Sequence, residues 1–266
     1  MHRFTRGEPK TCPVSRDGYR SPERRVGWLM RAFPTCSFHP RMLWTVFLAS
    51  RLAKRGLYPY AEWAWSAWRI AALLERIGAR IAVDNVSVFD RLEGPCVIIG
   101  NHMSTLETFV LPAIVAPHRP VTFVVKRSLL HYPLFGHVMR SRDPVAVDRE
   151  NPRDDLRAVL QGGAERLARG VSIIVFPQTT RTPRFDPEAF NTIGVKLARK
   201  AGVPVVPLAL RSDAWGNGKW LKDFGRMSPE IPVRFRFGEP LTVAGNGRET
   251  HEAVVRFIQE NLAAWA

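Results

Sequence analysis

Runs of β-branched and apolar residues too short for helices recur at 95–100, 121–125, 145–147, 171–176 and 203–210, with helically spaced segments between several of them. Residues 152–168 read as one such helix, with Pro152 in its first turn and Gly170 beyond its end. Residues 193–201 read as another, stopped by Gly202. Strands alternating with helices predict an α/β fold: a mostly parallel sheet flanked by helices. The alternating pattern at 81–89 reads as a further strand, and 233–237 as a late one. Arg234 and Arg236 alternate with apolar residues there, which predicts an edge position. Residues 250–265 close the chain as a helix.

Charge divides the chain unevenly. The formal net charge is +15, and residues 1–80 hold 15 Lys/Arg against 5 Asp/Glu. The same third carries Trp28, Trp44, Trp63, Trp65 and Trp68, five of the eight tryptophans. Basic residues interleaved with indoles fit an anionic membrane surface, because indole prefers the headgroup region. No zinc-finger spacing, RNP-like run or GxxG clamp is present, so no nucleic acid partner is expected. Three divisions follow: a basic flexible tail at 1–25, an amphipathic helical membrane-associating segment at 26–80, and an α/β domain at 81–266. The break between the two N-terminal helices falls at Tyr58-Pro59. The apolar run 42–49 is far short of the ~20 residues that span a bilayer, so the chain is expected to lie on a membrane. The polar, proline-containing N-terminus has no early apolar core and gives no sign of a signal peptide. Cys12, Cys36 and Cys96 are odd in number and far apart, which suits a reducing compartment and forms no metal-ligand spacing.

The strand at 96–99 ends in Gly100-Asn101-His102, and Glu107 follows five residues after the histidine, on the first turn of a helix. In open α/β sheets ligands bind where strands end. An imidazole beside a carboxylate can act as a general base toward a hydroxyl. Ser104-x-x-Glu107 is also a capping box, in which the same glutamate serves only the helix. Lys126, Arg127, Arg149, Arg181 and Arg211 stand at or just past other strand ends. Several cations around a His–carboxylate pair predict a pocket for an anionic substrate whose hydroxyl is activated. Ser104 has no Gly-x-Ser-x-Gly elbow around it, so a serine hydrolase is disfavoured.

The order of these motifs resembles the glycerolipid acyltransferases of the 1-acylglycerol-3-phosphate acyltransferase type, over roughly residues 80–240. Asn101-His102 with Glu107 resembles the family's Asn-His-x4-Asp, with glutamate in place of aspartate. Pro144-Val145-Ala146-Val147-Asp148-Arg149 resembles its second motif, preceded by Lys126 and the Pro-x-x-Gly of residues 133–136. Phe176-Pro177-Gln178-Thr179-Thr180-Arg181-Thr182 stands where the family has Phe-Pro-Glu-Gly-Thr-Arg-Ser, and residues 203–208 match the proline-bounded fourth motif.

The resemblance implies an O-acyltransferase on the cytoplasmic face of a membrane, peripheral or monotopic. His102 would be its general base and Glu107 would orient the imidazole. Asn101, Lys126, Arg149, Gln178, Thr179, Thr180 and Arg181 would be the substrate-binding residues, with Arg149 and Arg181 on the acceptor's phosphate. The partners implied are an acyl thioester donor (acyl-CoA or acyl carrier protein) and a lysophospholipid acceptor. No metal or organic cofactor is implied. Gln178 and Thr179 depart from the family's Glu-Gly and put the acceptor's identity in question. The lipid A late acyltransferases share His-x4-Glu but not the later motifs, and a basic membrane-binding protein without catalysis is the non-enzymatic alternative.

Overall fold

A computed structural model describes residues 12–178, 180–219 and 221–266. In chain order it runs β1 (Tyr19–Arg20), α1 (Trp28–Ala32), α2 (Pro34–Lys54), α3 (Tyr60–Arg76), β2 (Ile81–Asp84), β3 (Val97–Gly100), α4 (Leu106–Val115) and β4 (Val121–Lys126). It continues with α5 (Phe135–Arg140), β5 (Val145–Val147), α6 (Pro152–Ala168), β6 (Ser172–Val175), α7 (Ile193–Ala201), β7 (Val205–Arg211), β8 (Val233–Phe237) and α8 (Arg248–Ala264). The strands form one sheet in the order β1-β2-β8-β7-β3-β6-β4-β5. The pairings β1–β2 and β7–β8 are antiparallel, and the rest are parallel. The mostly parallel sheet flanked by helices is therefore as the sequence predicts.

Both faces of the sheet are covered. On one face Phe38, Met42, Trp63, Ile70 and Leu74 of α2 and α3 join Leu106, Val110 and Leu111 of α4 in a single core. On the other, Val159, Val195, Leu197, Val254 and Ile258 of α6, α7 and α8 pack on Val97, Ile99 and Ile173. All four residues of β3 are buried, as a strand between two helical layers must be.

Three features depart from the sequence reading. Residues 12–25 belong to the predicted tail, of which 1–11 lie outside the described residues. Tyr19 and Arg20 add an antiparallel strand to β2. Tyr19 Oη and Ser21 Oγ donate to Glu75 Oε1 on α3 at 2.5 and 2.6 Å. A buried carboxylate needs such donors, and no local pattern announces that a tyrosine 56 residues away supplies one. Secondly, the strand predicted for 81–89 stops at Asp84, because Asn85 takes a left-handed conformation (φ 58°) and residues 86–91 turn into a 3-10 helix. Thirdly, β8 is interior, between β2 and β7, rather than at an edge. Its Val233, Phe235 and Phe237 are buried on one face. On the other face Arg236 is held by Asp84 at 3.2 Å and Asn261 at 2.9 Å, with its guanidinium over the Trp265 ring. The arginines mark a face covered by α8, and alternation alone cannot separate that from an edge.

The predicted break at Tyr58-Pro59 separates α2 from α3. The two helices differ in role. α3 buries Trp63, Ala67, Ile70 and Leu74 and is part of the main core. Residues Trp28, Leu29, Phe33, Leu43 and Trp44, on or beside α1 and α2, are exposed.

An interior β8 fixes a stability prediction. Phe235→Ala should cost about 3–5 kcal/mol in urea unfolding, as for a fully buried aromatic. A loss below about 1 kcal/mol would return β8 to the periphery.

Candidate active site

The C-terminal end of β3 is stapled to its neighbour before any chemistry begins. Asn101 is buried; its Nδ2 donates to Leu210 O at 2.9 Å and its Oδ1 accepts from Leu210 N at 3.0 Å. Both ends of the amide are spent on β7, so Asn101 positions the strand end and does not face a substrate. That corrects its predicted binding role.

The following peptide is held from the loop after β6. His102 N donates to Gln178 Oε1 at 2.7 Å, Gln178 Nε2 donates to Thr182 Oγ1 at 2.8 Å, and Thr182 N donates to His102 O at 3.0 Å. The amide at 178 uses both an acceptor and a donor here, and a carboxylate would supply only the acceptor. Gln178 is therefore a bracket for His102, though it also lines the neighbouring cavity.

The imidazole lies flat on Phe176, with centroids 4.6 Å apart and planes at 6°. Its Nδ1 is 2.8 Å from Glu107 Oε1. A carboxylate can only accept, so Nδ1 carries the proton and Nε2 is left as the basic nitrogen. His102 lines a cavity of about 570 Å³, in company with Phe123, Val125, Val147, Val175 and Ile193, and with Lys126, Arg149 and Lys196.

Glu107 is completely buried. Oε1 accepts from His102 Nδ1, from Met103 N at 2.8 Å and from Ser104 N at 3.0 Å. Ser212 Oγ donates to Oε2 at 2.5 Å, and Ser104 Oγ lies 3.1 Å from the same oxygen. Burial pushes the carboxyl upward, but the bonds and charge of His102, with those of Ser212 and Ser104, outweigh it and hold Glu107 below the ordinary value. The two sequence alternatives turn out to be one structure. Glu107 reaches back to Ser104 N while Ser104 Oγ accepts from Leu106 N at 3.0 Å, as in a capping box, and the same carboxylate orients the histidine. Ser104 is buried in that network and offers no exposed nucleophile.

The strand-end cations separate into two groups. Lys126 and Arg149 line the cavity. Arg127 is turned onto Asp148 at 2.6 Å, and Arg211 onto Asp213 at 3.4 Å. Arg149 sits in a left-handed conformation (φ 62°), and Asp155 Oδ1 accepts from both Asp148 N (2.9 Å) and Arg149 N (3.2 Å). Burial lowers the Arg149 guanidinium from its ordinary value, Asp155 opposes this, and the charge of Arg181 adds to it. An arginine remains charged under any such shift, so two cations share one field. Arg181 is not on the cavity wall itself. Its Nη1 bonds Thr105 Oγ1, in the turn before α4, and Asp223 Oδ1 at 2.8 Å. Thr180 is an exposed loop residue, and Thr179 lies outside the described residues. Cys96 is buried behind the site, where burial raises its thiol above the ordinary value and leaves it a core residue.

No motif in the sequence points to Ser212 or Asp223. They lie 105 and 42 residues from the groups they hold, in a segment without motif character. Phe176 was visible only as the first letter of a motif.

Residues 80–211 match the family model described as Acyltransferase. The chain is 32% identical to the 1-acyl-sn-glycerol-3-phosphate acyltransferase of Pseudomonas aeruginosa over 220 residues, 82% of each chain. It is 25% identical to the enzyme of that name from Cocos nucifera over 241 residues, 88% of this chain and 75% of the relative. Its fold is similar to the crystal structure of a 1-acyl-sn-glycerophosphate acyltransferase from Thermotoga maritima. The TM-score is 0.65 at 21% identity, over 90% of this chain and 98% of that one.

The depressed Glu107 carboxyl has a signed consequence for stability. Its contribution is complete above the unfolded value of about 4.3 and is lost as pH falls through the lower folded value. The stability gap between wild type and Glu107→Gln should therefore be widest near neutrality and narrow below about pH 4 in denaturant titrations. A gap that widens on acidification would contradict the donor-stabilised carboxylate.

Proposed function

The chain belongs to the glycerolipid acyltransferase family, and we propose that it moves a fatty acyl group from acyl-CoA or acyl carrier protein to the free hydroxyl of a lysophospholipid such as 1-acylglycerol-3-phosphate. The observation that carries this reading is the His102–Glu107 pair at 2.8 Å beside a cavity with both apolar and cationic walls. The acceptor hydroxyl gives its proton to His102 Nε2 as its oxygen attacks the thioester carbonyl carbon. The resulting tetrahedral oxyanion collapses, the carbon–sulfur bond breaks, and the thiolate takes the proton from the imidazolium. Glu107 stabilises that imidazolium through Nδ1 and, by holding the proton of the neutral ring on Nδ1, turns the lone pair of Nε2 to the acceptor. Arg149, with Lys126 and Arg181, supplies positive potential for the acceptor's phosphate.

The Gln178 departure bears on the acceptor. Because its amide is spent on His102 and Thr182, the exchange of Glu for Gln falls on the scaffold of the histidine. A phosphate-bearing acceptor is therefore still supported by the cations that remain.

Peripheral or monotopic attachment to the cytoplasmic face of a membrane is the second part of the proposal. Trp28 and Trp44 are 74% and 58% exposed, with Leu29, Phe33 and Leu43 nearby in the chain. Isolated apolar side chains need no explanation, but several on two adjoining helices with basic neighbours fit a bilayer interface. Among the described residues no helix is long and apolar enough to cross a membrane. Three free cysteines suit the reducing side.

The deciding assay is transfer from labelled acyl-CoA and acyl carrier protein to a panel of lysophospholipids. His102→Ala should lower turnover by about 10²–10⁴-fold, the usual contribution of a general base. Equal product from both proteins would reduce His102 and Glu107 to a helix cap. Trp28→Ser/Trp44→Ser should weaken co-sedimentation with vesicles containing anionic lipid, and unchanged sedimentation would remove these two helices from the membrane reading.

A further inference from the structure

The segment after β7 carries two kinds of residue that the transfer reaction does not explain. It forms a hairpin whose arms are 214–219 and 221–228. Gly216 N donates to Arg226 O at 2.9 Å, Ser228 N to Ala214 O at 2.8 Å, and Gly218 N to Lys222 O at 3.2 Å. The backbones approach so closely that a Cβ on Gly225 would overlap the Gly216 carbonyl oxygen. This is a built structure, with Trp215 fully buried at its base. Its outer part nevertheless exposes Leu221 (67%) and Phe224 (42%), flanked by exposed Lys219, Lys222 and Arg226.

The hairpin has contacts in two directions. Toward the active site, Asn217 Nδ2 donates to Met103 O at 3.1 Å, beside His102, and Asp223 accepts from Arg181. Toward the N-terminal helices, His39 Nε2 lies 2.9 Å from Gly225 O, and Met227 N donates to Thr35 Oγ1 at 3.0 Å. The His39 ring also packs on Phe224, with centroids 5.4 Å apart. The exposed phenylalanine thus packs on α2, the helix that carries Leu43 and Trp44 of the proposed membrane contact.

We propose that this hairpin is a second lipid-contacting element, which seats Leu221 and Phe224 in the interface of the bilayer that holds the acceptor. This rests on the membrane reading given above. The occupant follows from the chemistry. Two apolar side chains among three cations fit an interface with anionic headgroups, and the one acid of the tip, Asp223, is turned inward onto Arg181. Asp223 follows Leu221 by two residues, so the lipid contact and the clasp on Arg181 belong to one rigid unit. The acceptor would leave the bilayer beside the arginine proposed for its phosphate.

The test places an environment-sensitive fluorophore at the tip, in full-length protein carrying Cys12→Ser, Cys36→Ser and Leu221→Cys. Vesicles of phosphatidylethanolamine and phosphatidylglycerol should shift its emission to the blue. Leu221→Ser should weaken vesicle partitioning about tenfold, the order for one leucine side chain withdrawn from water, while transfer to a short-chain monomeric acceptor stays unchanged. If the labelled protein sediments with vesicles but its emission does not move, the hairpin proposal is overturned and the membrane reading stands. If the protein does not sediment at all, the membrane reading fails and takes the hairpin with it. A blue shift that follows protein concentration, or added acyl carrier protein, without vesicles would assign the surface to another protein and overturn the proposal.

Discussion

A carboxylate with no exposure to water is the constraint around which this site is built. Leaving Glu107 charged and unpaired would cost several kcal/mol, so its donors must be in place whenever the protein is folded. They come from the turn after β3 (His102, Met103, Ser104) and from the end of β7 (Ser212). Satisfying one charge therefore fixes the relation of two adjacent strand ends and the start of α4. The histidine inherits its orientation from this arrangement. Glutamate stands where the family resemblance has aspartate, and its two oxygens divide the donors. Oε1 serves the imidazole and two backbone amides, while Oε2 reaches Ser212.

The general plan was legible because periodicity and turn residues are local. Pro152 and Gly202 bound their helices as expected, and the alternation of elements led to the right sheet. His102 and Glu107 were legible for the same reason, since five residues of separation put both within one turn. The same locality explains the failures. Arg234 and Arg236 look identical on an edge strand and on a strand covered by α8, because the difference lies in Asp84, Asn261 and Trp265. Asn101 belongs to a motif, so resemblance assigned it to substrate. Only the β7 backbone, more than a hundred residues away, reveals that both ends of its amide are occupied. Ser212 and Asp223 lacked even a motif.

Strain is placed at the second motif and opposed nearby. A non-glycine residue in the left-handed region costs roughly 1–2 kcal/mol, and Arg149 is held there at φ 62°. Two consecutive amides, Asp148 N and Arg149 N, converge on Asp155 Oδ1 from the first turn of α6. That is where a helix favours negative charge. The contact opposes the strain while directing the guanidinium to the cavity. The sharp turn also separates neighbours in sequence: Asp148 takes Arg127 outward, and Arg149 stays with the site.

Holding Arg149 and Arg181 in one field has a cost that the surrounding acids moderate differently. Asp155 accepts from the Arg149 backbone amide, and its charge also acts against the lowering of the guanidinium. Asp223 meets Arg181 directly through Nη1, together with Thr105. That geometry engages one edge of the guanidinium with a hydroxyl and an acid. Fixing that edge restricts the rotamers of a long side chain, which on the role proposed for Arg181 would leave less entropy to be lost when a phosphate binds. The arginines of the two motifs are thus held by different means, one by its backbone and one by its side chain.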